Sequence, residues 1–252
     1  MTTYIKNTFS DVGDITLFIT RFFKEVLTPR YEFKECLVQC YKIGYKSIPL
    51  VAITGFIMGL VLTLQSRPTL VSFGAESWLP GMVALSLIRE IAPVITALIC
   101  AGKIASGIGA ELGSMKVTEQ IDAMEVAAIN PFKYLVVTRV LATTFMVPLL
   151  VILADVIGIL GGYIGVNIHG DTSLYLYIAK VFEILTFSDI FPATIKTIFF
   201  GFFIGIIGCY KGFTADHGTE SVGKAANSAV VTASLTIFII DMLAVQITDL
   251  FF

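Results

Sequence analysis

Of the 252 residues, 56% are hydrophobic and only 14% are charged, and the mean hydropathy is +0.87. Soluble domains carry about 25% charged residues, so the composition excludes a soluble globule and specifies an integral membrane protein, one helical domain at this length. A net charge of −2 argues against nucleic acid as a partner, and apolar runs that are continuous rather than alternating argue against a β-barrel.

Residues 1–11 are polar and lack the apolar core of a cleaved signal peptide. Val12, Ile15, Ile19, Phe22 and Val26 then recur at spacings of three and four, which is one face of a helix. Asp11, Asp14, Arg21, Lys24 and Glu25 occupy the rest of its surface, and Pro29 ends it. The pattern predicts a helix lying in the membrane interface with its aromatic side down; a soluble helix packed on a partner is the alternative. Hydrophobic spans follow at 48–64, 79–101, 140–168, 191–210 and 228–250. Gly55 and Gly59 in the first make a G-x-x-x-G pattern that admits a close helix neighbour. Five spans put the termini on opposite sides. With the N-terminus inside, thirteen of the 17 lysines and arginines fall on the cytoplasmic side, Arg30, Lys103, Lys116 and Lys133 among them. Arg67, Lys180 and Lys196 fall outside or at the outer edge.

Between the second and third spans stands a polar block, AGKIASGIGAELGSMKVTEQIDAMEVAAINP at 101–131, read as a cytoplasmic loop. From 116 to 128, Val117, Ile121, Met124 and Ala128 form an apolar stripe among Glu119, Gln120, Asp122 and Glu125. This predicts a short amphipathic helix that seats in a groove of a soluble partner. Contact with headgroups alone is the alternative, disfavoured by four acidic or amide groups beside an anionic leaflet.

Ionisable residues inside spans are costly and mark pairs or cavities. Arg89 and Glu90 point about 100° apart on a helix, so they cannot satisfy each other alone, and Pro93 frees a backbone carbonyl one turn later. Asp155 and Asp241 are isolated acids in apolar helices, for which a structural role is preferred; as proton relays with Glu90 they would define a rival, ion-coupled carrier. GTESVGKA at 218–225 has P-loop spacing but ends in Ala where a magnesium-binding hydroxyl is needed. Cys36, Cys40, Cys100 and Cys209 form no C-x-x-C pair, and His169 and His217 stand alone, so neither zinc nor a disulfide framework is expected. No nucleophile stands with a base, so an enzyme is not expected.

ALSLIREIAPV at 84–94, the AGKIASGIGAELGSMKVTEQIDAMEV run and Asn130-Pro131 together resemble the MlaE permease family, the membrane subunits of ABC transporters that move phospholipid between bacterial membranes. The first 40 residues and 167–225 match more in hydropathy than in residues. The resemblance implies an all-α inner-membrane protein, one permease domain over 1–252, with an interfacial region at 1–46 and a transmembrane domain at 47–252. It implies a coupling helix between spans two and three, carried by Glu111, Lys116, Glu119, Gln120, Asp122, Met124 and Glu125, which sits in a cleft of a cytoplasmic ATPase. That partner would hold ATP and magnesium, and this chain no cofactor or metal. It also implies a homodimer around a phospholipid pocket walled by Leu62, Gln65, Thr69, Leu70 and Phe73, with Glu90 and Ile91 opposite, and a periplasmic MCE-domain partner. Arg67-Pro68 departs from the family pattern at the rim of that pocket. A non-transporting anchor for the ATPase is a third reading.

Overall fold

The computed structural model describes residues 2–29, 32–216 and 218–251, with side chains from Gly13 onward except at 249 and 251. His217 and Arg30 lie outside the described residues. The elements are α-helices α1 (Thr2–Val26), α2 (Phe33–Ile43), α3 (Ile48–Ser72), α4 (Leu79–Ser86), α5 (Ala92–Cys100), α6 (Ser106–Val117), α7 (Gln120–Val126), α8 (Thr138–Asn167), α9 (Leu174–Ile184), α10 (Phe187–Phe213) and α11 (Thr219–Phe251). There is no strand among the described residues. Among the described residues, five helical runs are long and apolar enough to cross a membrane: Phe33–Ser72, Glu76–Val117, Phe132–Asn167, Phe187–Phe213 and Thr219–Thr248.

These runs outlast the predicted spans. The first continues past 64 to Ser72 with Pro68 inside it, because the Arg67 guanidinium finds partners: it donates to Glu76 Oε1 at 2.7 and 2.9 Å and to the His169 carbonyl at 2.9 Å. Gly74, at φ +67, closes the helix end, where the Ala75 amide donates to the Leu70 carbonyl at 2.8 Å. The second run continues helically from Leu79 to Val117, so 101–117 is not the loop its polarity suggests. Two π-helical turns interrupt it, Leu87–Ile91 and Ala101–Ala105. In the first, the Ala92 amide donates to Leu87, one residue further back than in an α-helix. Pro93 has no amide to offer Arg89, and the wide turn absorbs that missing bond.

The chain divides into two compact units. One comprises Met1–Ile43, Ala101–Thr144 and Gly201–Thr236. Its helices meet through small residues. A Cβ added at Gly109 would touch Ala225, Ala226 and Ala229, and Gly212 sits against Leu112 and the backbone of Gly109. Side chains this small let polar-looking sequence pack as helix core. On the same unit, Phe18 lies edge-on to Phe132 at 4.9 Å and to Tyr210 at 5.5 Å, and Phe22 is buried against Phe202. Of the predicted stripe, Phe22 thus faces protein, Ile15, Ile19 and Val26 are half-buried and the Val12 side chain lies outside the described residues, while Phe23 stacks on Phe202 at 5.8 Å and Leu17 and Leu27 are exposed. The helix carries more apolar residues than one stripe, and Phe18, outside the predicted stripe, packs beside Phe22.

The other unit comprises Gly44–Cys100, Phe145–Phe200 and Ile237–Phe252. The predicted G-x-x-x-G face of α3 meets α8 here: a Cβ at Gly59 would stand 1.8 Å from the Gly158 carbonyl oxygen, and one at Gly55 2.9 Å from that of Ala154. A second contact buries Leu79, Val83 and Ala84 of α4 against Val166, Tyr177 and Val181. Tyr177 is fully buried, and burial pushes its phenol up to about 12.

Candidate functional site

In the first unit the coupling candidates form one exposed structure. The amphipathic helix expected at 116–128 is shorter than its pattern, because the chain breaks between α6 and α7, where Glu119 takes φ +58. A left-handed non-glycine residue is uncommon, and it turns the chain sharply. Ala128, at φ +60, does the same just beyond the other end of α7. Between these two turns, Ile121 is buried and Met124 half-buried, which fixes the inner face of α7. Glu119, Gln120, Asp122, Glu125 and Val126 face outward, Val126 being 90% exposed. Lys116 donates to Asp122 Oδ1 at 2.9 Å, and Gln120 Nε2 to Thr118 Oγ1 at 2.9 Å, which hold the turn together.

Glu111 sits one element earlier and does different work. Its carboxylate receives Arg139 at 3.1 Å and Lys42 at 3.9 Å, so it ties α6 to α8 and α2. Arg139 is buried, and its guanidinium also donates to the Leu135 carbonyl at 2.9 Å. The P-loop-like segment has no phosphate cradle: Gly223 is exposed on α11, Lys224 pairs with Glu220 one turn back at 2.8 Å, and Ala225 packs on Gly109.

In the second unit the pocket candidates separate. Gln65 and Thr69 lie exposed on α3 and Phe73 just past its end, Phe73 at 79%, whereas Leu62 and Leu70 turn inward onto the Leu79–Val181 cluster. Ile91 is half-buried. Glu90 belongs to another constellation, centred on Lys196 of α10. The Lys196 ammonium, 5% exposed, donates to Glu90 Oε2 at 2.8 Å and to Asp241 Oδ1 at 2.9 Å. Arg89 reaches Asp189 at 3.7 Å. Arg89 and Glu90 thus find separate partners, as their angular separation requires, and Asp241 is not isolated. Lys196 is buried within α10, inside the apolar run Phe187–Phe213. Its position inside an apolar run was the overlooked signal, since a buried cation in a span calls for a nearby anion.

Two cavities adjoin this cluster. A water-sized one of about 20 Å³ lies among Arg89, Glu90, Asp189 and Lys196. A groove of about 400 Å³ is walled by Phe191, Ile195, Phe199, Leu243 and Ile247, with Lys196 and Thr248 supplying polar atoms. Apolar walls with few polar groups are the usual form of a ligand pocket, and this volume is in the usual range. A third cavity of about 170 Å³ lies between Pro93 and Pro148, where Asp155 Oδ1 is buried with no hydrogen-bond partner. The described residues contain no cluster of three or more metal-ligating side chains.

Residues 36–247 match the family model of Permease MlaE, which takes in the coupling segment and the charged cluster alike. The chain belongs to the MlaE permease family. This MlaE-family chain is 39% identical over 241 residues to a probable ABC transporter permease protein of Rickettsia prowazekii, covering 96% of this chain and 92% of that one. It is 36% identical over 222 residues to a probable ABC transporter permease protein of Synechocystis, covering 86% of this chain and 82% of that one. It is 34% identical over 219 residues to the intermembrane phospholipid transport system permease protein MlaE of Haemophilus influenzae, covering 86% and 84%.

Proposed function

We propose that this chain is the permease subunit of an ABC transporter that moves phospholipid between the inner and outer membranes of a bacterium and so maintains outer-membrane lipid asymmetry. It resides in the inner membrane with its N-terminus cytoplasmic and its C-terminus periplasmic, in keeping with the lysine and arginine bias. Two copies assemble around the lipid path, each seating α7 in a cleft of a cytoplasmic ATPase that binds ATP and magnesium. An MCE-domain protein continues the path in the periplasm. The observation that carries the reading is α7 itself: a short helix between two left-handed turns, anchored by Ile121, that presents carboxylates and Val126 outward. Such a surface suits a groove in a soluble partner. The phospholipid assignment is supported by the likeness to the intermembrane phospholipid transport system permease protein MlaE of Haemophilus influenzae.

The test is substitution on the outward face, Gln120→Ala and Val126→Glu, followed by co-purification of the ATPase and lipid transfer between vesicles. Loss of ATPase capture with unchanged permease yield supports the reading. Retained capture, with transfer that follows a proton gradient rather than ATP, replaces it with the ion-coupled carrier.

A further inference from the structure

Residues 130–134 grip the N-terminal helix in a way that the coupling role of α7 does not require. The Lys133 ammonium has three N–H groups to give. It donates to the Thr28 carbonyl at 2.8 Å, to Thr28 Oγ1 at 2.9 Å and to the Pro29 carbonyl at 3.1 Å. Two of these acceptors are backbone carbonyls just past the end of α1, where the helix dipole is negative and a cation is favoured. Asn130 works from the same side: its Nδ2 donates to Glu25 Oε2 at 3.1 Å, and its Oδ1 accepts the Lys133 amide at 3.1 Å. Phe132, fully buried, lies against Phe18 and carries the Arg21 guanidinium 4.3 Å above its ring. Tyr134 donates to Glu35 of α2 at 3.3 Å.

The link from this grip back to α7 is short and tied. At the end of α7 the Ala128 amide donates to the Glu125 carbonyl at 3.0 Å, and the Ile129 amide to the Met124 carbonyl at 3.0 Å. Only 127–129 separate the coupling helix from Asn130, and all three amides or turns in that stretch are fixed to α7. Leu17 of α1 and Leu27 just past its end are meanwhile exposed apolar side chains suited to the lipid surface of the inner leaflet. Exposed polar contacts such as those of Lys133 and Asn130 add little stability individually, so their use is positional.

We infer that Asn130 and Lys133 are positioning residues that clasp α1 to the coupling helix, so that displacement of α7 by the ATPase drives α1 through the lipid surface as one lever. This rests on the coupling reading of α7. In the reconstituted complex with its ATPase, with the four native cysteines replaced, spin labels at position 126 and position 17 report α7 and α1 separately. Vanadate trapping in the presence of ATP shifts both labels in the parent and in Lys133→Arg. In Lys133→Met the label at 126 still shifts and the label at 17 does not, and lipid moved per ATP hydrolysed falls roughly tenfold, the scale of one charged hydrogen bond. A label at 17 that follows trapping equally in Lys133→Met, or that never shifts in the parent, overturns the lever while leaving the coupling reading intact. A label at 126 that is silent in the parent overturns the coupling reading and the lever together.

Discussion

Replacing Lys196 with Met leaves Glu90 and Asp241 facing one another across the place where their shared ammonium stood. Lys196 donates a charge-assisted bond to each, at 2.8 and 2.9 Å, and its own side chain is only 5% exposed. Breaking a fully buried ion pair from one side costs about 3–5 kcal/mol. Here the Glu90 side chain is 45% exposed and that of Asp241 19%, so solvent screens part of the loss, and about 2–3 kcal/mol is expected. For a chain of this length that corresponds to roughly 5–10 °C in the melting midpoint, read by size-exclusion recovery after heating in mild detergent. Adding Glu90→Gln and Asp241→Asn to Lys196→Met removes the stranded charges and recovers half or more of the loss. A Lys196→Met protein that melts with the parent would refute the reasoning, and so would a triple variant no better than the single one.

Other consequences are simpler to read. Gly59→Ala drives a methyl into the Gly158 carbonyl, a backbone group that cannot swing aside, so the helices must part; a loss of about 2–3 kcal/mol is expected in the same heating assay. Gly107→Ala is the control, since nothing lies within 4 Å of its Cβ position, and it gains about 0.5 kcal/mol. Asp155→Asn keeps the shape of a carboxyl whose buried Oδ1 has no partner, so the variant melts at or above the parent; a clear fall would reveal a charge partner for Asp155. Ala128→Gly relieves an alanine held at φ +60 and raises stability by about 1 kcal/mol in the same heating assay.

The existence of five spans was legible because hydropathy alone decides it, and their ends were not. Arg67 looked like a rim, yet α3 passes through it because Glu76 and the His169 carbonyl lie within reach, a fact of folded geometry. The stretch at 101–117 read as polar loop for want of large apolar side chains, but Gly109 and Gly113 are core positions wherever helices pack through backbone and alanine. The short helix α7 was legible in its amphipathic pattern, while the break at Glu119 was invisible, since no glycine or asparagine marks that left-handed turn. Arg89, Glu90 and Asp241 were singled out as costly charges, but their partners stand far along the chain, Lys196 being 106 residues from Glu90 and 45 from Asp241. Lys133 entered the sequence reading only as one cation of the cytoplasmic bias, because its contacts with Thr28 and Pro29 depend on where α1 ends.

The central claim is that this permease works as part of an ATP-driven lipid transporter, and native mass spectrometry of the complex released gently from its own membranes tests it most directly. The account predicts a mass of two copies with two ATPase subunits, a periplasmic assembly and retained phospholipid. A lone protomer carrying neither ATPase nor lipid, reproducible across mild detergents, would contradict it.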